Sequence, residues 1–339
     1  MVKRIFVVLL LVSASAFAQE QQFASLGDFK LDSGEVLKDC RIGYRTYGKL
    51  NDEKSNIILF PTWAGGTTEQ LAGNFGPGSN HLVDTSKYYV IAVDALSNGV
   101  SSSPSNSKLQ PHMHFPKITI RDMVNTQHEL LTRVLGIKHV AVVMGISMGG
   151  MQTFQWVVSY PDFMDKAIPI VGSPQMTAFD ILNWKTQIDS VKNDPGWNHG
   201  DYTQNPSGLT DAEFGMLFLT TPDNVNRTHK ADQVLTDLKK QAAQPGQDAN
   251  NKIRQSEAMM ALDVAKDFGG SLDAAAHSVK AKMLVIASKY DHTVNPSSAE
   301  KFAKAIDAPV VELTGDCGHL ATACEAPKVA AAAHEFLER

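Results

Sequence analysis

The sequence contains no block of lysines or arginines, no apolar run long enough to cross a bilayer, no internal repeat and no low-complexity tract. Its 31 Lys+Arg against 36 Asp+Glu give a formal net charge of −5, and the cations are scattered, so no face suits a phosphate backbone. Nucleic acid is therefore excluded as an expected partner. Histidine clusters are equally scarce: His112 and His114 in "PHMHFP" have no clear third ligand, and no metal or cofactor is assigned. Cysteine is limited to Cys40, Cys317 and Cys324, an odd number that leaves at least one thiol unpaired.

The N-terminal apolar run, Ile5 to Val12, follows Lys3 and Arg4 and precedes Ala16-Phe17-Ala18. It falls well short of the ~20 residues that span a bilayer. Basic start, short apolar run and A-x-A site together read as a signal peptide over 1–18, cut before Gln19. No lipobox cysteine is present, so the expectation is an exported protein, periplasmic or secreted, without a stable membrane anchor. Export exposes the cysteines to oxidation. A bridge between Cys317 and Cys324 would restrain the loop holding His319; three free buried thiols are the alternative.

Of the residues present, 43% are hydrophobic and 20% charged, the balance of a globular chain with a large core. Apolar runs recur at 56–60, 88–93, 139–144, 166–171, 282–287 and 309–313. Continuous rather than alternating runs suit parallel strands covered on both faces. Before them, residues 28–50 read as an antiparallel pair turning at Asp32-Ser33-Gly34. Thr119 with Asp122 three positions on opens a helix whose apolar residues repeat up to Gly136, which fixes a βαβ unit. The fold class is α/β, a mostly parallel sheet with helices on both faces. Between 174 and 274 no strand-like run occurs; a polar stretch, "NDPGWNHGDYTQNPSG", precedes amphipathic patterns near 211–220, 231–243 and 252–267. The chain therefore divides into a core (19–173 and 275–339) and an inserted helical lid (174–274).

The stretch "HVAVVMGISMGGMQTFQWVVSYP" sets Gly145-x-Ser147-x-Gly149 between a strand and a helix. A serine raised on so tight a turn is the nucleophile elbow; the flanking glycines, lacking Cβ, let strand and helix approach. The bare motif also fits a turn that only packs well, so partners decide. A serine hydroxyl needs an imidazole to take its proton and a carboxylate to orient that imidazole. Asp291 follows the run at 282–287 and His319 follows the run at 309–313, each at a strand end, in the order acid then base. Ser147, Asp291 and His319 are thus the candidate triad, with Asp316 and His292 as substitutes if the register differs. An oxyanion would need two backbone N–H groups: Met148 for the first, and Trp63 or Ala64, after the run at 56–60, for the second. Trp156, Trp184 and Trp197 read as core or lid packing.

In "FPKITIRDMVNTQHELL", "GISMGGMQTFQWVVSYPDFMDKAIPIVGSP", "DPGWNHGDY" and "GHLA" the chain resembles the homoserine O-acetyltransferase-like branch of the α/β-hydrolases. The resemblance implies an α/β-hydrolase core, a helical lid, the triad Ser147, Asp291 and His319, and a homodimer formed through the lid. Three positions depart from the family. Its lid arginine, which helps bind the amino acid, falls at Glu213 in "GLTDAEFGM"; its "GSTGP" reads "VSSSP" at 100–104; its oxyanion-loop histidine stands as Pro61. A carboxylate at the arginine's place would repel that of homoserine. With export added, the expected activity is hydrolysis of a small-molecule acyl ester through an acyl-serine; the alternative is O-acyl transfer to homoserine or another alcohol.

Overall fold

Each apolar run becomes a strand. The computed structural model describes residues 20–206, 208–244 and 246–339, so the expected signal peptide at 1–18 lies outside the described residues. The strands are β1 (Gln22–Lys30), β2 (Val36–Tyr47), β3 (Ile57–Pro61), β4 (Phe75–Gly76), β5 (Val83–Asp84), β6 (Tyr89–Val93), β7 (Val140–Ile146), β8 (Met164–Ile170), β9 (Lys282–Met283), β10 (Val285–Ser288) and β11 (Val310–Leu313). Among the described residues the main sheet runs β1-β2-β6-β3-β7-β8-β10-β11, with β9 also on β8, while β4 and β5 pair separately. β1 with β2 and β2 with β6 are antiparallel. The remaining pairs of the main sheet are parallel.

The helices are α1 (Ile120–Glu129), α2 (Met148–Ser159), α3 (Ala178–Lys192), α4 (Gly208–Leu217), α5 (Pro222–Thr228), α6 (Val234–Ala242), α7 (Ala249–Met260), α8 (Leu272–His277), α9 (Ser297–Ala305), α10 (Ala321–Cys324) and α11 (Ala326–Glu338). Thr119 and Asp122 close a reciprocal capping box on α1. A wider π turn over Leu130–Val134 then carries the chain to Gly136.

Strand alternation divides the core between the two faces. Ile57 and Leu59 of β3 pack with Met123 of α1 and Phe154 and Trp156 of α2, whereas Ile58 and Phe60 pack with Val329, Ala333 and Leu337 of α11. All four β3 side chains are fully buried, each contributing about 1.5–3 kcal/mol relative to exposure. The run at 309–313 differs from expectation. Among the described residues β11 is an edge strand of the sheet, and Val310 is 40% exposed.

Between β8 and β9 lie α3 to α8. The polar stretch forms short turns over Pro195–Gly200, with Asn198 and His199 at positive φ. They bury Trp197 with Ile188, Val191, Ala249 and Ile253 in a small core of the insertion's own. Trp197 Nε1 donates to Asn250 Oδ1 at 2.9 Å.

Candidate active site

Ser147 leaves β7 with φ 58° and ψ −120°, a conformation that costs a non-glycine residue on the order of 1–3 kcal/mol and needs support from its surroundings. Its N–H donates to Ile170 O at 2.8 Å, and Met151 N–H donates to its carbonyl at 3.0 Å. Tight packing completes the seat. A Cβ on Gly145 would lie 2.6 Å from Gly149 C, and one on Gly149 would lie 2.6 Å from Pro61 O. Only glycine lets α2 start this close to β7 and β3.

His319 sits in the short turn after β11 and Asp291 in the turn after β10. The parallel pairing of these strands brings both turns to the end of the sheet from which Ser147 rises. His319 Nε2 is 2.8 Å from Ser147 Oγ, and His319 Nδ1 is 2.6 Å from Asp291 Oδ2. Asp291 Oδ1 accepts the backbone N–H groups of Thr293 and Val294, each at 2.8 Å. A carboxylate can only accept, so Nδ1 carries the ring proton and Nε2 is free to accept from the serine hydroxyl. Asp291 and His319 are 5% and 7% exposed, so little water competes for these bonds. Ser288 Oγ donates to Gly318 O at 2.7 Å and ties the two turns together. Such an imidazole can remove the serine proton and return it to a leaving group.

The substitutes lie elsewhere. Asp316 holds the Arg227 guanidinium through both carboxylate oxygens, at 2.8 and 2.9 Å, and that partner keeps its carboxyl below the usual range. The His292 carbonyl accepts Asn183 Nδ2 at 3.3 Å. The three cysteines fall into two kinds: Cys317 and Cys324 form a disulfide around the His319 turn, and Cys40 is free, its thiol pushed up to about 12 by burial.

Met148 is the first residue of α2, and Trp63 follows β3 and lines the cavity. Among the described residues neither N–H has an acceptor, and Ala64 N–H has none either. Gly65 N–H is taken by Gln255 Oε1 at 2.7 Å, which leaves Trp63 and Ala64 as the open donors of that loop. His112 Nδ1 lies 3.1 Å from Gly200 O. Among the described residues no group of three His, Cys, Asp or Glu side chains is set to hold a metal ion.

Ser147 and His319 open on a cavity of about 660 Å³, and much of its wall comes from the helices between β8 and β9, including Trp184, which the sequence suggested only as packing. Trp184 and Gln187 of α3, Asp211 and Phe214 of α4, and Lys252, Gln255 and Met259 of α7 line it. Asp211 and Lys252 form an ion pair within the wall. Glu213, expected at the family's arginine position, is exposed, and the carboxylate facing the cavity belongs to Asp211. Gln255 Nε2 donates to Leu96 O at 3.0 Å, so one buried amide links the insertion to two core loops. The density of amide side chains in "ANNKIRQSEAMM" was the available signal, since a helix rich in such groups is stable inside a protein only if they find partners.

Comparison with known proteins agrees with this architecture. Residues 56–323 match the family model for the α/β hydrolase fold. A probable esterase of Corynebacterium glutamicum is 39% identical over 53% of this chain and 52% of its own, so the match spans about half of that relative's length. A homoserine O-acetyltransferase of Methanococcoides burtonii is 32% identical over 92% of this chain and 72% of its own. Among solved structures, an acetylester hydrolase from Corynebacterium glutamicum superimposes with a TM-score of 0.87 at 28% identity, covering 94% of this chain and 96% of that one.

Proposed function

The chain belongs to the α/β-hydrolase fold family, and from that premise we propose that it is an exported acyl hydrolase that cleaves short-chain esters through an acyl-serine, with Ser147, His319 and Asp291 as its triad. The observation that carries the reading is the unbroken hydrogen-bonded chain from Asp291 through His319 to Ser147, opening on a cavity sized for a small ester.

In the first half-reaction Ser147 Oγ bonds to the ester carbonyl carbon as His319 Nε2 takes the hydroxyl proton. The Met148 and Trp63 N–H groups receive the negative carbonyl oxygen; one such donor is worth about 10²–10³ in rate. The bond to the alkoxy oxygen then breaks, and His319 gives its proton to the departing alcohol. Water repeats the sequence on the acyl-serine, releasing the acid and restoring the serine. Asp291 stays ionised, orienting the ring and stabilising the imidazolium.

Export is supported by the charged start, short apolar run and A-x-A site, and by the Cys317–Cys324 disulfide, a bond that persists in oxidising compartments. Detection of the mature chain beginning at Gln19 outside the cytoplasm tests it; an uncut chain in the cytoplasm would refute it. Dimerisation through the helical lid is supported by Leu182, Leu217 and Leu235, which are 66%, 66% and 69% exposed on α3, α4 and α6, and a monomeric mass in solution would remove it.

The likeness to homoserine O-acetyltransferases favours one second reading, transfer of the acyl group to an alcohol. Assay of acetyl to hexanoyl esters, with and without added alcohols, separates the two by product: free acid for hydrolysis, a new ester for transfer. Ser147→Ala is expected to lose at least about 10⁴-fold in kcat together with labelling by a fluorophosphonate. Turnover that survives this substitution would overturn both readings.

A further inference from the structure

We propose that residues 218–221, the link between α4 and α5, form a bridge that positions the Asp291 turn and the His319 turn against each other, with Thr221 and Thr293 as its positioning residues; this rests on the triad reading above. The sheet alone does not set these turns. The last residue pair of β10 with β11 is Ser288 with Leu313, so Asp291 and His319 both stand beyond the strand ladder. The link reaches both turns there. Thr293 Oγ1, two residues after Asp291, donates to Phe218 O at 2.7 Å. Leu320 N–H, next to His319, reaches Leu219 O at 3.2 Å as well as Cys317 O at 3.1 Å. Thr221 Oγ1 donates to Asp316 O at the start of the His319 turn.

The three segments meet at Gly318. A Cβ there would lie 3.2 Å from Thr220 C and Cα and 3.3 Å from Tyr290 O, so link, base turn and acid turn pack backbone to backbone beside the imidazole. Both threonines are buried, Thr221 at 6% and Thr293 at 1% exposure, where a hydrogen bond meets little competition from water. The Thr221 hydroxyl acts twice, donating to Asp316 O and accepting Asn224 N–H at 3.2 Å as the N-cap of α5. It therefore ties the start of a helix to the base turn. The neighbouring Arg227–Asp316 pair is exposed and screened by solvent, which leaves the buried hydroxyls to carry the connection. The geometry matters because a misplacement of about 1 Å between reacting groups can cost about 100-fold in rate.

Thr221→Val keeps the shape of the side chain and removes its hydroxyl. Thr221 is not among the described residues that line the cavity, so kcat is expected to fall about tenfold while KM stays within about twofold. The second-order rate of Ser147 labelling by a fluorophosphonate should fall by the same factor, since labelling needs the same proton transfer to His319. Thr221→Ser, which restores the hydroxyl, should recover both. Thr293→Val removes the bond on the acid side and is expected to act in the same direction, which gives a reading even if Thr221→Val does not fold. Ser271→Ala removes a cap of the same kind from α8, where the hydroxyl accepts Ala274 N–H at 3.2 Å, and should leave kcat within about twofold. Wild-type kcat and labelling in a folded Thr221→Val or Thr293→Val overturn the bridge. Failure of Thr221→Ser to recover activity, or an equal loss in Ser271→Ala, also overturns it, because either would mean a merely structural effect. Absence of Ser147-dependent labelling and turnover in the wild type overturns the triad reading, and the bridge with it.

Discussion

Two buried helices, α2 after the serine and α7 along the cavity wall, hold their neighbours by opposite means. α2 presents glycine to its surroundings: at Gly149 the backbone of α2 approaches Pro61 O so closely that a Cβ would sit 2.6 Å away. Fully buried Met148, Met151, Phe154 and Trp156 fix its other sides. α7 is buried along polar residues, among them Asn250, Asn251, Lys252, Arg254 and Gln255. Arg254 Nη2 and Nε donate to Phe115 O at 2.7 and 3.0 Å, and Asn251 Nδ2 donates to Ser105 Oγ at 2.8 Å. Close apolar packing has no slack, because interiors are as dense as organic crystals. Side-chain hydrogen bonds distribute the load, so each can be lost separately. The helix that carries the serine is thus positioned by shape, and the one that carries the cavity wall is positioned by partners.

Adding one methyl to α2 should therefore do more harm than removing one buried amide from α7. Gly149→Ala is expected to destabilise the protein by about 3 kcal/mol, the overpacking cost of a Cβ against a backbone carbonyl. By displacing Met148 and Ser147 it should lower kcat by about 100-fold. Urea unfolding and ester hydrolysis measure both. Near-normal kcat in Gly149→Ala would show that the seat relaxes, and the contrast between the helices would fail at its stronger end.

The same contrast explains what could be read from sequence. The strand runs, the Thr119–Asp122 cap and the Gly145-Ser147-Gly149 turn are local devices whose backbone requirements are written in consecutive residues. Asp291 and His319 were legible because each comes just after a strand; Cys317 and Cys324 were the nearest pair in sequence, but proximity alone did not separate a bridge from free thiols. α3 was not legible, although Thr177 and Asp180 form the same reciprocal cap as α1. Its Phe179, Ile181 and Leu182 are exposed, whereas Asn183 and Gln187 are buried beside Trp184, Ile188 and Val191, so apolar residues fall on both faces and the period is blurred. α7 is masked for a related reason, since its buried side is largely polar. Glu213, which drew the comparison with the family's arginine, is exposed, whereas Asp211 and Phe214 of the same helix line the cavity.

Gln255→Leu sharpens the comparison from the other side. The change removes the acceptor of Gly65 N–H and the donor to Leu96 O, leaving backbone groups unpaired at about 1–2 kcal/mol in stability. The loop carrying Trp63 and Ala64 would loosen, with kcat falling about tenfold while KM moves less, because the oxyanion forms only in the transition state. Gln255→Glu retains an acceptor for Gly65 and should recover part of kcat. A larger loss in Gln255→Leu than in Gly149→Ala would reverse the ranking and make the polar helix the more demanding one.

The smallest effect on rate is expected at the disulfide, because the His319 turn combines both modes of support. Cys317–Cys324 closes a loop of eight residues around it, worth about 2.5 kcal/mol in the chain-entropy model. Among the bonds that remain without it are His319 to Asp291 at 2.6 Å, Ser288 Oγ to Gly318 O at 2.7 Å, and Leu320 N–H to Leu219 O at 3.2 Å. Replacing both cysteines by serine should therefore lower the unfolding midpoint in urea but reduce kcat by less than about threefold, the scale of one weakened hydrogen bond. Thiol reductant should reproduce the stability loss in the wild type and leave the double variant unchanged. A collapse of kcat with little loss of stability would mean that the covalent link, rather than the hydrogen-bonded turn, holds the imidazole against Ser147.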